Sequence, residues 1–135
     1  MYKHILVPIS FEEGRDAAGA LKVAKLLADE GGRVTLLHVI ERLPSYAVSY
    51  MPQDYLKNAR KAIEEELSQM AGDVPGGEAI VVDGHAGRTI LDWAEENDPD
   101  CIVVASHRPG MQNLLLGSTA TQVVRHAACA VHVIR

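Results

Sequence analysis

Apolar residues along this chain fall into two kinds of run. Short unbroken runs alternate with longer stretches in which apolar positions recur every three or four residues. The first kind reads as strands covered on both faces, the second as amphipathic helices. Lys3–Ile9 is the first strand, with Pro8 near its end, where a missing N–H is tolerable. After a loop from Ser10 to Gly14, Ala17, Ala20, Leu21, Ala24, Leu27 and Ala28 form one helical stripe, and Gly31 and Gly32 are expected to cap that helix. Arg33–Ile40 is the second strand. Leu43–Pro52 holds two prolines and two tyrosines with no period, and reads as a long loop whose tyrosines pack over the domain. The second helix starts near Asp54, with Leu56, Ile63, Leu67 and Met70 inward.

Glu78–Val82 is the third strand, and the turn from Asp83 to Gly87 opens a helix whose buried stripe is Ile90, Leu91 and Ala94, with Trp93 at its border. Asn97, Asp98 and Pro99 stop it. Cys101–Ala105 is a fully apolar fourth strand. A fourth helix begins near Ser118 with Ala120, Val123, Val124 and Ala127 inward, and Ala130–Ile134 is the last strand. Strands joined by single helices pair in parallel with right-handed crossovers, and helices then cover both faces of the sheet. The pattern predicts a three-layer α/β/α fold in one domain, residues 1–135.

The connection from the fourth strand to the fourth helix, Val104 to Thr119, carries the most chemistry. It holds a Pro-Gly turn at Pro109 and Gly110 and a Gly-Ser pair, Gly117 and Ser118, at the helix start. The first amides of a helix have no intrahelical partners, and the helix dipole is positive there, so such an end attracts anions. Gly117 lets backbone approach a ligand closely, Ser118 caps the helix or donates to a phosphate oxygen, and Arg108 adds a cation. An ordinary strand-loop-helix connection, in which the serine only caps, has the same local signals.

Leu114–Ser118, followed by Val123–Ala127 and Val131–Ile134, resembles the nucleotide-binding end of the universal stress protein family. Ile5–Ile9 and Leu36–Ile40 extend the likeness over the whole UspA-like domain. ATP-binding members of that family carry Gly-x2-Gly-x9-Gly-Ser/Thr between the fourth strand and fourth helix. Here Ala105 stands at the first glycine and the second is missing, because Ala105 to Gly117 is one residue short. Ser106–Pro109 (Ser-His-Arg-Pro) resembles a variant loop of one branch.

The resemblance implies a Rossmann-like parallel sheet of order 3-2-1-4-5, of the adenine-nucleotide alpha-hydrolase type. The order reverses between strands one and four, where open α/β sheets bind ligands. Pro8, Ile9 and Ser10 meet Ala105 to Gly110 there. The resemblance places adenine near Ile9 and Val39 and ribose near Ser10, where many members have aspartate. It places the phosphates near Ser106, His107, Arg108, Gly110, Gly117, Ser118 and Thr119, with any Mg²⁺ held mainly by phosphate oxygens and water. It implies an ATP-binding regulatory module of the stress response and a homodimer through strand 130–134. The alternative is a member that has lost nucleotide and acts through protein contacts.

Composition narrows the rest. Hydrophobic residues are 47% and charged residues 23%, the balance of an ordinary globular protein. No apolar run reaches the length of a membrane span, and the start lacks a signal-peptide shape, so a cytoplasmic protein is expected. The net charge of −5, without a basic stripe, argues against a nucleic-acid partner and requires any anion to be held by local features. Cys101 and Cys129 sit in or beside apolar strands and read as reduced buried thiols. The six histidines lack metal-ligand spacing. His38 reads as a satisfied core residue, and His126 and His132 as packing or surface residues. Walker-type and Gly-x-Gly-x-x-Gly loops, the hydrolase elbow, and the His-x-Gly-His and Ser-Gly-Gly-x-Asp-Ser signatures of enzymes on this fold are absent. His107 has no evident nucleophile to serve, so no enzyme is expected beyond slow incidental ATP hydrolysis.

Overall fold

The computed structural model describes residues 1–11, 16–106 and 117–135. Five strands, β1 (Tyr2–Pro8), β2 (Ala28–Glu41), β3 (Gly77–Gly84), β4 (Cys101–Ala105) and β5 (Ala130–Ile134), form one sheet. Its order is β3-β2-β1-β4-β5 and every pairing is parallel. The helices are α1 (Ala17–Leu27), α2 (Ser45–Val48), α3 (Tyr55–Gly72), α4 (Ala86–Asn97) and α5 (Ser118–His126). The expected strand order is therefore the observed one.

Side-chain alternation along the central strands builds the layers. Ile5 and Val7 of β1, Val34 and Leu36 of β2, and Val103 of β4 share one core with α1 and α3, through Ala20, Ala24, Leu67 and Ala71. Leu6, Leu37, Ile102 and Val104 point the other way, onto Ile90 of α4 and Ala120 and Val123 of α5. Both faces of β1 and β4 are thus sealed, which explains their unbroken apolar runs.

Helix ends follow from local chemistry. The Asp16 side chain accepts from the Gly19 N–H at 2.8 Å and caps α1. Asp98 ends α4 in the left-handed region, φ 56°, with its N–H on the Ala94 carbonyl at 2.8 Å.

Several expectations are corrected. Gly31 and Gly32 do not cap α1. That helix ends at Leu27, and Ala28 turns at once into extended backbone with its N–H on the Ala24 carbonyl. Ala28 and both glycines belong to β2, whose register against β1 shifts between the Tyr2–Ala28 and His4–Arg33 pairs. Gly31, at φ 78°, supplies the irregular backbone there. The 43–52 stretch contains the single turn α2, and its tyrosines do not pack: Tyr46 is 71% and Tyr50 88% exposed. Leu56 and Val124 also lie on exposed helix faces, at 40% and 43%.

Polar groups gather toward the N-terminal ends of the strands. The Asp100 carboxylate accepts from the backbone N–H groups of Lys3 and His4, both at 2.9 Å, tying the start of β1 to β4. Partial burial works against its charge, but these backbone donors hold it below the usual aspartate range. His4 Nε2 meets Thr35 Oγ1 at 2.9 Å, and Thr35 donates to Glu78 at 2.6 Å. Arg33 donates to the same Glu78 oxygen at 2.6 Å. Burial, then the Arg33 charge, pushes the His4 imidazole down, while the Thr35 bond leads in keeping Glu78 low. His4 sits edge-on to Trp93 with ring centroids 5.8 Å apart.

Candidate functional site

The C-terminal ends of β1, β2 and β4 open into a cleft of about 580 Å³. That volume suits a small ligand. The cleft lies where the strand order reverses, the place this topology assigns to ligands.

Seven of the residues singled out from sequence line it: Pro8, Ile9, Ser10, Val39, Ala105, Ser118 and Thr119. Ile9 is buried, and its N–H is fixed to the Leu37 carbonyl at 2.9 Å, so the β1 end is held against β2. Ser106 is fully buried; its N–H donates to the Ile134 carbonyl at 2.8 Å, and its carbonyl accepts from the Gly117 N–H at 2.9 Å. That second bond draws the end of β4 and the start of α5 together behind the cleft. His107, Arg108 and Gly110, and with them the Ser-His-Arg-Pro variant beyond Ser106, lie outside the described residues.

The cap of α5 differs from expectation. Gly117, not Ser118, is the N-cap residue, and Ser118 is already in the helix. The first intrahelical bond runs from the Thr121 N–H to the Gly117 carbonyl at 2.9 Å. Helix geometry leaves the amides of Ser118, Thr119 and Ala120 without intrahelical acceptors, and glycine has no side chain to take them. Ser118 and Thr119 put this end at the cleft wall.

Other wall residues were not expected at a site from the sequence, which read Ile63 as an inward helix residue and His38 as a core one. Phe11 follows Ser10 directly and packs on His38, with ring centroids 4.9 Å apart. His38 is half-buried and satisfied, its Nδ1 2.7 Å from the Ile9 carbonyl, but it lines the cleft and does not sit in the core. Ile63 and Ala86 come from α3 and α4. Glu41 follows Val39 by two positions on β2, the period that keeps a side chain on the same face. That spacing was the available signal. Its Oε1 accepts from the Ala86 N–H at 3.0 Å, satisfying the start of α4, where His85 provides no side-chain cap. His85 Nδ1 lies 3.3 Å from the other oxygen.

The cleft is chemically lopsided. Toward α5 it offers the hydroxyls and amides of Ser118 and Thr119. Toward β2 it is mostly apolar, with His38 in the wall and Glu41 at the rim. Among the described lining residues Glu41 is the sole carboxylate. Among the described residues no cluster of three His, Cys, Asp or Glu side chains could hold a metal ion. Cys101 and Cys129 are free thiols. Burial, with Cys129 and Asp100 nearby, pushes Cys101 up to about 11, and burial also raises Cys129, so neither is activated as a nucleophile. His126 and His132 are exposed. Among the described residues no helix is long and apolar enough to cross a membrane.

Fold and cleft define a class: an open parallel α/β domain with a cleft at its topological switch point. Within that class, the model of the universal stress protein family matches residues 1–135, and the chain belongs to that family. It is 34% identical to universal stress protein A homolog 2 of Coxiella burnetii, covering 99% of this chain and 95% of that protein. The structure of universal stress protein UspA from Lactobacillus plantarum matches with a TM-score of 0.72 at 26% identity, over 99% of this chain and 98% of that one. A universal stress protein from Archaeoglobus fulgidus, solved in complex with dAMP, shares the fold at 23% identity, with a TM-score of 0.67 over 99% of this chain and 98% of that one.

Proposed function

We propose that this chain is a cytoplasmic regulatory module that binds an adenine nucleotide, ATP in particular, and acts in stress response through the bound state and not through turnover. The observation that carries the reading is the switch-point cleft with the uncapped start of α5 in its wall. Family membership and the dAMP complex of the Archaeoglobus fulgidus relative support it. In this reading the phosphates rest on the amides and hydroxyls of Ser118 and Thr119, where the dipole of α5 is positive and Gly117 leaves room. The ribose lies over Ser10, whose hydroxyl bonds it more weakly than a carboxylate would. The base lies against Ile9 and Val39. No described carboxylate faces the phosphate end, so Mg²⁺ would travel with the triphosphate and water.

Mass spectrometry of protein purified without added nucleotide tests the reading. Co-purified adenine nucleotide is expected. Protein that carries none, and binds neither ATP nor AMP in calorimetry, overturns it in favour of a family member working through protein contacts alone.

The same reading includes a homodimer. β5 ends the sheet, and Ala130–Ile134 is apolar and β-branched with no proline or lysine within it. A free edge of this kind invites pairing, and a two-fold axis would satisfy both copies alike. Sedimentation at micromolar concentration should show a species near twice the 14.6 kDa chain mass. A single species at the chain mass rules the dimer out. His132→Pro is no test of the dimer, because that face of the β5 backbone meets β4: the Ile134 carbonyl accepts from the Ser106 N–H, and the His132 N–H meets the Cys101 sulfur.

A further inference from the structure

We propose that Glu41 is a specificity residue: its carboxylate reads the exocyclic amino group of an adenine ring in the cleft. The inference rests on the nucleotide reading above and concerns which base that site accepts.

The sheet order sets the ligand's direction. The start of α5 follows β4, whereas Glu41 ends β2, on the far side of β1. Adjacent strands are about 4.8 Å apart, so the two ends of the cleft are separated by about 10 Å. A ligand anchored by phosphates at α5 therefore presents its opposite end, the base, to β2. The walls agree with that direction. Ile9, Leu37, Val39 and Ile63 are apolar and suit the faces of a flat ring, and Glu41 stands at the rim where a ring edge would emerge.

Glu41 is also held in place. Oε1 bonds the Ala86 N–H at 3.0 Å and Oε2 lies 3.3 Å from His85 Nδ1. Each carboxylate oxygen has two lone pairs, so acceptor capacity remains beyond these two contacts. An ionised carboxylate accepts hydrogen bonds and donates none. It therefore rewards an N–H donor at the base edge and penalises a bare acceptor. The 6-amino group of adenine is such a donor. Glu41 is 58% exposed, so the discrimination is moderate and not that of a sealed pocket.

The test compares AMP with purine ribonucleoside monophosphate, which lacks only the amino group. Calorimetry on the unmodified protein should show AMP binding about tenfold tighter. Glu41→Ala should lose most of that preference by weakening AMP while leaving the analogue nearly unchanged. Glu41→Gln, which keeps a carbonyl acceptor without the charge, should retain part of it. A thermal scan of each variant checks that loss of the α4 contact has not unfolded the chain.

Equal weakening of both nucleotides in Glu41→Ala overturns the inference, because Glu41 then only holds α4. So does an unchanged preference, or tighter binding of GMP than AMP, which would assign the carboxylate to guanine's ring donors. Failure of the unmodified protein to bind either AMP or ATP sinks the nucleotide reading itself, and this inference with it; binding of ATP without AMP sinks this inference alone.

Discussion

Gly76→Ala is expected to unfold a large fraction of this protein's stability, although Gly76 is exposed and remote from the cleft. Its φ is 73°, in the left-handed region. A methyl built there would lie 2.0 Å from the Gly32 carbonyl oxygen and 3.2 Å from its carbon. Both obstacles are backbone, so no side chain can rotate away. The Gly76 carbonyl also accepts the Val34 N–H at 3.0 Å, just where β3 joins β2. Moving Gly76 aside therefore breaks the first rung between those strands. Left-handed strain costs about 1–2 kcal/mol, and forced backbone displacement adds about 1–3 kcal/mol. Together they remove a large part of a typical stability of about 5–15 kcal/mol and should lower Tm by about 10 °C. Gly31→Ala is the control. Gly31 has nearly the same φ, 78°, but nothing lies within 4 Å of the added methyl, so only the strain should register. Equal melting temperatures for the two variants would show that the close approach of Gly76 to Gly32 carries no weight.

Gly76 illustrates what could and could not be seen in the sequence. The strands and the main helices were legible because β1 and β4 are sealed on both faces and α1, α3, α4 and α5 on one. Burial of that kind writes itself directly into apolar spacing. The order of the strands was not in the periodicity; it came with the family resemblance and holds. What failed were places where one signal serves two structures. A glycine pair after a helical stripe suits a C-cap, but it equally suits a shift of register at a strand start. Here Ala28 leaves the helix first and Gly31 serves the shift. Leu56, Val124, Tyr46 and Tyr50 are apolar or aromatic, and yet they lie on the surface, because spacing cannot say how wide a helix's buried stripe is.

At the cleft, the residues legible from the motif were those at the start of α5 and along β1. Ser118 and Thr119 are in the wall. Beyond Val39, the wall toward β2 was not legible, because Phe11, Ile63, Ala86 and Glu41 come from separate elements and carry no shared motif. Only the folded chain brings them to one place. Glu41 shows the difficulty well. In sequence it is one acid among eighteen, and its position at the end of β2 is what turns it toward the start of α4.

Gly117→Val should abolish nucleotide binding while leaving a cooperatively folded protein. Gly117 is the N-cap of α5, with φ −62° and ψ 160°, a conformation open to any residue. Valine is therefore not excluded by the backbone. It is a poorer N-cap than glycine, which costs up to about 1 kcal/mol and a few degrees of Tm. The branched side chain would stand at the mouth of the helix, where the phosphates are proposed to meet the amides of Ser118 and Thr119. Blocking that approach removes several charge-assisted hydrogen bonds at once, each worth about 1.5–3 kcal/mol, so affinity for ATP should fall at least about a hundredfold. Gly117→Ser separates the two effects. Serine caps helices well, so it should keep or slightly raise Tm, and its smaller side chain should weaken ATP less than valine does. Calorimetry with ATP, alongside thermal scans of the three proteins, reads both outcomes. A valine variant that binds ATP as the unmodified protein does would move the phosphates away from α5. Loss of binding that comes only with loss of the thermal transition would show that Gly117 shapes the turn and nothing more.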